Sequence, residues 1–120
     1  MPSADAQADS LPPSGHAPGG LAPVFAALGD RTRLSLLTRL SDGQARSIAA
    51  LSAGTALTRQ AVTKHLRVLE KAGLVCRDRV GRESRYAFRA APLADARSYL
   101  DEVSAQWDDA LGRLKAFVEE

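Results

Sequence analysis

Thr58-Arg-Gln-Ala-Val-Thr-Lys-His-Leu-Arg-Val-Leu-Glu-Lys71 is the stretch from which the fold of this 120-residue chain is read. Thr58 is placed as an N-cap, its hydroxyl able to accept from a free backbone N–H of the first turn. Leu57 and Val62 stand on either side of it at the spacing of a hydrophobic staple. Gly73 suits the left-handed residue that ends the helix, with Leu74 folding back on Leu69. Between these stops Val62, Leu66 and Leu69 recur at helical spacing and define a face to bury. Arg59, Gln60, Thr63, Lys64 and Arg67 fall mostly on another face, which carries no acid. Such a face can meet the base edges and phosphates of a DNA major groove. An ordinary solvated basic face is the alternative, and the flanking segments weigh against it.

Upstream, Ser47 to Ala53 reads as a short helix with Ile48 and Leu51 as its apolar pair, and Gly54-Thr55-Ala56-Leu57 as a turn. A short helix, a Gly-containing turn and a basic second helix form a helix-turn-helix. Downstream the period changes to two. Leu74–Arg79 and Ser84–Arg89 are strand candidates joined by Val80-Gly81-Arg82-Glu83, with Tyr86 and Phe88 alternating against Arg85, Ala87 and Arg89. A hairpin directly after a recognition helix is a wing, and Arg77, Arg79, Arg82 and Arg85 on it can hold the DNA backbone or enter a minor groove.

Further out, Leu21–Leu28 predicts a short apolar helix, and Asp30 caps a second helix to about Ser41 with Leu34, Leu37 and Leu40 inward and Leu36 beside them. Arg31 and Arg33 fall in its first turn, where the dipole disfavours cations, so they either pair with carboxylates or reach for phosphate. Pro92 opens a last helix over 93–117. Along it Leu93, Ala96, Leu100, Val103, Trp107, Ala110 or Leu111, Leu114 and Phe117 or Val118 step by three and four. At roughly 1.5 Å per residue this helix is about 37 Å long, more than a winged core needs. The preferred expectation is a two-fold dimer seam of Leu100, Val103, Trp107, Leu111 and Leu114, aided by Val24, Phe25 and Leu28; packing on the chain's own core is the alternative. Asp101, Asp108 and Asp109 would then face away from DNA.

The charge is segregated. The formal net charge is +2, yet residues 30–90 hold 13 Lys/Arg against 5 Asp/Glu, net +8, while residues 91–120 hold 3 against 7, net −4. A basic middle beside an acidic end points to a polyanionic partner for the middle. Apolar residues make up 45 % and aromatics 5 %, enough for a modest aliphatic core. Residues 1–20 are rich in Pro, Gly, Ala and Ser, and are expected to be a disordered tail with an incidental His16. They lack the basic start and apolar middle of a secretory signal. No apolar run approaches bilayer length, so no membrane partner is expected. The lone cysteine, Cys76, excludes an intrachain disulfide and favours a reducing cytoplasm.

Ala27-Leu-Gly-Asp-Arg-Thr-Arg33, the 58–75 stretch and Gly81-Arg-Glu-Ser-Arg-Tyr86 together resemble the ArsR/SmtB family of bacterial winged-helix repressors. The resemblance runs from about Pro23 to the end. It implies a homodimer on an inverted-repeat operator, often the regulator's own promoter, released when a signal arrives. The Pro92-Leu93 start and the Trp107, Leu111, Leu114 ending look like the branch with a long C-terminal dimer helix. Metal-sensing members carry a cysteine pair in the helix before the turn, where this chain has Ser47-Ile-Ala-Ala-Leu-Ser-Ala53; others use His along the last helix, and residues 91–120 contain none. Asp108 and Asp109 alone are poor ligands for a soft or borderline metal. No metal site and no cofactor is therefore expected, and the effector is not legible.

The expected architecture is mainly α with a β-hairpin wing, a winged helix-turn-helix over residues 21–120. Within it, 58–72 is the recognition helix, 74–89 the wing and 92–118 the dimerisation helix. Arg59, Gln60 and Thr63 are expected at base edges; Lys64, Arg67, Arg79, Arg82 and Arg85 are expected on phosphates. His65 is expected at the core edge or on phosphate. No Gly-rich phosphate loop, His-based triad or metal cluster supports an enzyme. Two other readings remain at this point. One is a winged-helix protein adaptor using the acidic helix face; the other is a single-thiol redox regulator through Cys76, with Arg77 and Arg79 adjacent in sequence.

Overall fold

A computed structural model describes residues 18–119 as five helices and a small antiparallel sheet. The expected tail up to residue 17, with His16, lies outside the described residues. Residues 18–20 are helical instead, so the first helix, α1, spans Pro18–Leu28. It buries Leu21, Val24 and Ala27.

Helix α2, Arg31–Leu40, starts at Asp30, whose carboxylate accepts from the Arg33 N–H at 3.0 Å. It buries Leu36, Leu37 and Leu40, while Leu34 is 47 % exposed. That corrects the expected inward face. At roughly 100° per residue, Leu36, Leu37 and Leu40 share one arc, and Leu34 falls about 110° from its centre.

The α2 C-terminus is tied down by a polar knot. Arg46 Nη1 donates to the Arg39 carbonyl at 2.6 Å, and Arg46 also binds Asp42 through Nη1 at 3.0 Å and Nη2 at 2.7 Å. These Arg46 bonds first, then the Gln44 N–H, hold the Asp42 carboxyl down at about 2, below the usual carboxylate range. A folded-state pKa below the unfolded one means that the contribution is complete above about pH 4 and is lost as pH falls through about 2. Asp42→Asn is therefore expected to lower the urea midpoint at pH 7, with the gap from wild type closing between pH 4 and pH 2. A gap that persists at pH 2 would place the effect elsewhere.

Arg46–Ser47 forms a two-residue strand, β1, so that Ser47 lies in a strand rather than at the start of the expected Ser47–Ala53 helix. Helix α3 is accordingly shorter, Ile48–Ala53, with Ser47 Oγ capping it by accepting from Ala50 N–H at 3.1 Å. Helix α4, Arg59–Lys71, has both its expected ends. Thr58 Oγ1 accepts from Ala61 N–H at 3.1 Å. At the other end Leu74 N–H reaches the Leu69 carbonyl and Gly73 N–H the Glu70 carbonyl, both at 2.9 Å, with Gly73 at φ 80°. These paired bonds are a Schellman motif, and the left-handed φ is why glycine stands there.

Strands β2, Val75–Val80, and β3, Glu83–Phe88, pair antiparallel around a two-residue turn at Gly81-Arg82. Gly81, at φ 63°, supplies the positive φ at the first central position. The sheet order is β1-β3-β2. Tyr86, 1 % exposed, anchors it to a core of Leu36, Leu40, Leu51, Leu66, Leu69 and Leu74.

The last helix, α5, runs from Ala91 to Glu119, 29 residues, or about 43 Å at 1.5 Å per residue. Only its start meets the core: Ala96 is buried, and Tyr99 faces Phe25 of α1 with ring centroids 6.1 Å apart. Beyond Tyr99 the helix projects, and the molecule extends 66 Å along its longest axis. Among the described residues no helix is long and apolar enough to cross a membrane.

Candidate nucleic-acid interface

Burying Val62, Leu66 and Leu69 turns the opposite side of α4 outward. Arg59, Gln60, Lys64 and Arg67 are exposed there, and Thr63 is half-buried between them. With Ile48 and Ala49 of α3 they line one open groove. A second depression continues from it, joining Ser47, Ile48, Ala49 and Arg59 to Arg82, Glu83 and Ser84 of the wing. The recognition helix and the wing thus share one surface, with Arg59 and Arg82 on the same depression. The α3 floor, Ile48 and Ala49, carries no charge signal and was absent from the sequence-based set.

Three side chains differ from the simple expectation. Thr63 Oγ1 donates to the Arg59 carbonyl at 2.7 Å, so its proton is used within the helix. Its methyl and its two acceptor lone pairs are what it offers a base, and the methyl suits a thymine methyl. Arg85 binds Glu83 Oε1 through Nε at 3.2 Å and Nη2 at 3.1 Å. Its register partner is Asp78, whereas Arg79 pairs with Ser84. Paired residues share a face and neighbours alternate, so Arg79 and Arg85 lie on opposite faces of the wing. Arg79 Nε turns toward the Gly81 carbonyl at 3.4 Å, at the tip.

The same alternation separates the Cys76 thiol from Arg77 and Arg79. Cys76 is exposed and pairs with Ala87, whereas Arg77 pairs with Tyr86 and approaches Glu70 at 4.0 Å. Adjacency in sequence is not adjacency in space on a strand.

Several cations of the basic middle are structural. Arg33 Nε and Nη2 donate to the Ala27 and Ala26 carbonyls at 2.7 and 3.2 Å, closing the end of α1. Arg39 does the same for α3, donating to the Leu51 and Ala50 carbonyls at 2.6 and 3.0 Å. Its guanidinium fills the space above Gly54, where a Cβ would come within 2.6 Å of it. Arg33 therefore resolves to a carbonyl cap rather than a phosphate ligand, while Arg31 is exposed.

His65 meets this cap, its Nδ1 lying 3.4 Å from Arg33 Nη1 and 3.7 Å from Asp30 Oδ2. Arginine only donates, so the contact requires Nδ1 as acceptor and the neutral ring's proton on Nε2. The Arg33 backbone N–H, with the nearby Arg33 guanidinium, holds the Asp30 carboxyl below its ordinary range.

The residues expected at a dimer interface divide. Val24 is 4 % exposed inside the protomer's own core, which leaves it almost no surface for a partner. Phe25, Leu28 and Val103 are half-buried. Leu100, Trp107, Leu111 and Leu114 are exposed, Trp107 at 63 %. The projecting part of α5 thus carries an apolar row that the chain's own core does not cover.

Comparison with known proteins fits this surface. A family model described as a helix-turn-helix domain matches residues 28–76. The HTH-type transcriptional regulator YuzN of Bacillus subtilis is 40 % identical over 76 residues, 58 % of this chain and 83 % of that protein. An ArsR-like transcriptional regulator from Rhodococcus sp. RHA1 superposes with a TM-score of 0.77 at 40 % identity, covering 84 % of this chain and 92 % of that one. The chain belongs to the ArsR family. It is a DNA-binding transcriptional regulator with the winged helix-turn-helix fold. A possible ArsR-family regulator from Mycobacterium bovis, described as a homodimeric winged helix-turn-helix DNA-binding domain, aligns at 25 % identity with a TM-score of 0.59, covering 81 % of this chain and 90 % of that one.

Proposed function

We propose that this ArsR-family protein is a cytoplasmic, homodimeric repressor that binds an inverted-repeat operator, its own promoter among its sites, and leaves it on a signal. The observation that carries the reading is the groove lined by Arg59, Gln60, Thr63, Lys64 and Arg67 of α4, with no acid in its lining, opening onto the same surface as wing Arg82. In this reading the functional unit spans residues 21–120, with 58–72 reading the groove, 74–89 as wing and 92–118 as dimer helix. Arg59, Gln60 and Thr63, at the N-terminal end of the recognition helix, contact bases. Lys64, Arg67, Arg79 and Arg82 contact phosphates, and Arg85 joins them once it releases Glu83. The exposed row on α5 supports the dimer, and two-fold symmetry would set the recognition helices about 34 Å apart, one turn of DNA.

The test is a titration against the protein's own upstream DNA and a random duplex of equal length, at low and moderate salt. A preferential, salt-sensitive shift is expected; no preference at any salt would favour a protein-adaptor role. Within the same assay Gln60→Ala is expected to lose about 1–3 kcal/mol of discrimination between the two duplexes. Arg82→Ala should weaken both alike and reduce the slope of log K against log salt by about one. Equal losses on both duplexes for both variants would contradict the division between base and phosphate contacts.

A further inference from the structure

Toward the C-terminal end of α4, on the flank next to the DNA-facing groove, a second groove of about 450 Å³ opens between α1 and the C-terminal half of the recognition helix. Its walls are Pro23, Ala26 and Ala27 of α1 and Val68 and Ala72 at the end of α4, with Arg33 and Lys71 supplying the only charge. Val68 is a β-branched apolar residue on the recognition helix that is left 41 % exposed. A groove of this size, apolar with a few convergent polar groups, is what small-molecule sites have in common. Two cations and no acid line it, so charge complementarity selects an anion. The apolar walls select a hydrophobic body behind that anion.

Arg33 is equipped for such a ligand. Its guanidinium has five N–H donors, and the Ala26 and Ala27 carbonyls and His65 Nδ1 account for three. Two remain, and a planar fork is suited to a carboxylate. The same guanidinium touches the recognition helix through His65 and closes α1, which packs along α5. A ligand here would bear on the seat of α4 against α1. Shifts of about 1–2 Å between packed helices are a common form of switching, and an operator fixed at one helical turn is sensitive to them.

We propose that this groove is the effector site and that it takes a small hydrophobic carboxylate, held by Lys71 and Arg33 over Val68 and Pro23. The effector role rests on the operator-binding reading above; the binding site itself does not. The probe is decanoate, titrated calorimetrically into the full-length protein, with decylamine and decanol as matched-chain controls. Saturable binding of one decanoate per protomer is expected, with at least tenfold weaker binding in Lys71→Gln and none in Val68→Asp. Val68 is exposed, so the latter leaves the core intact.

No decanoate binding by wild type, equal binding of decylamine, or wild-type binding by Val68→Asp would overturn the site. So would conversion of Val68→Asp to a monomer by light scattering, because a second copy would then be what covers the groove. On operator DNA, saturating decanoate is expected to lower wild-type affinity at least tenfold, and unchanged affinity would overturn the effector role. If the protein bound decanoate but no DNA, the operator reading would fail and the site would stand.

Discussion

The double substitution Trp107→Glu with Leu114→Glu is expected to make the protein monomeric at micromolar concentration and to lower its operator affinity at least 100-fold. Both side chains lie more than half exposed on the projecting part of α5, so the protomer's core does not depend on them. In a two-fold seam each is buried twice. Burying a large apolar side chain contributes about 1.5–3 kcal/mol, and four copies represent a gross loss of at least roughly 6 kcal/mol. Buried area does not convert fully into affinity, because association and side-chain ordering cost free energy. A net loss near 2.8 kcal/mol would already give the 100-fold. Sedimentation equilibrium reads the monomer, and unchanged far-UV dichroism would show that α5 stays helical. A variant that remains dimeric would move the interface off this row.

The parts of the fold that were legible are those that punctuation and period dictate. Thr58, Gly73 and Leu74 announce the ends of α4 through capping chemistry that depends on a few adjacent residues. Tyr86 and Phe88 announce β3 through alternation. The two-residue strand at Arg46–Ser47 carries no period, and its existence depends on β3 lying alongside it. Leu34 was misplaced because a leucine at helical spacing is apolar whether or not another element arrives to cover it. Arg33 and Arg39 bond to carbonyls six to twelve residues away, leaving nothing in the local pattern that separates a cap from a DNA ligand. The segregated positive charge was a sound guide to a polyanion but overcounted the cations available to it. Arg33, Arg39 and Arg46 serve helix ends, and Arg85 is held by Glu83, whereas the α4 row and Arg82 face outward together. A base-reading surface was therefore easier to locate than to delimit.

Arg33 gives the sharpest way to separate these two uses of positive charge. Arg33→Ala is expected to destabilise the protein by about 2 kcal/mol or more, since removing hydrogen bonds from a charged donor typically costs about 1.5–3 kcal/mol. Two α1 carbonyls would lose their partner, and the His65 contact between α4 and the cap would go with them. Arg33→Lys should recover less than half of the loss, because an ammonium is a point donor and cannot span Ala26, Ala27 and His65 as the planar fork does. Urea unfolding measures both. The salt dependence of DNA binding supplies the contrast. A residue that caps a helix releases no counterion, so the slope of log K against log salt should match wild type in Arg33→Ala even if affinity falls. A slope reduced by about one, with stability unchanged, would instead return Arg33 to the phosphate-binding set.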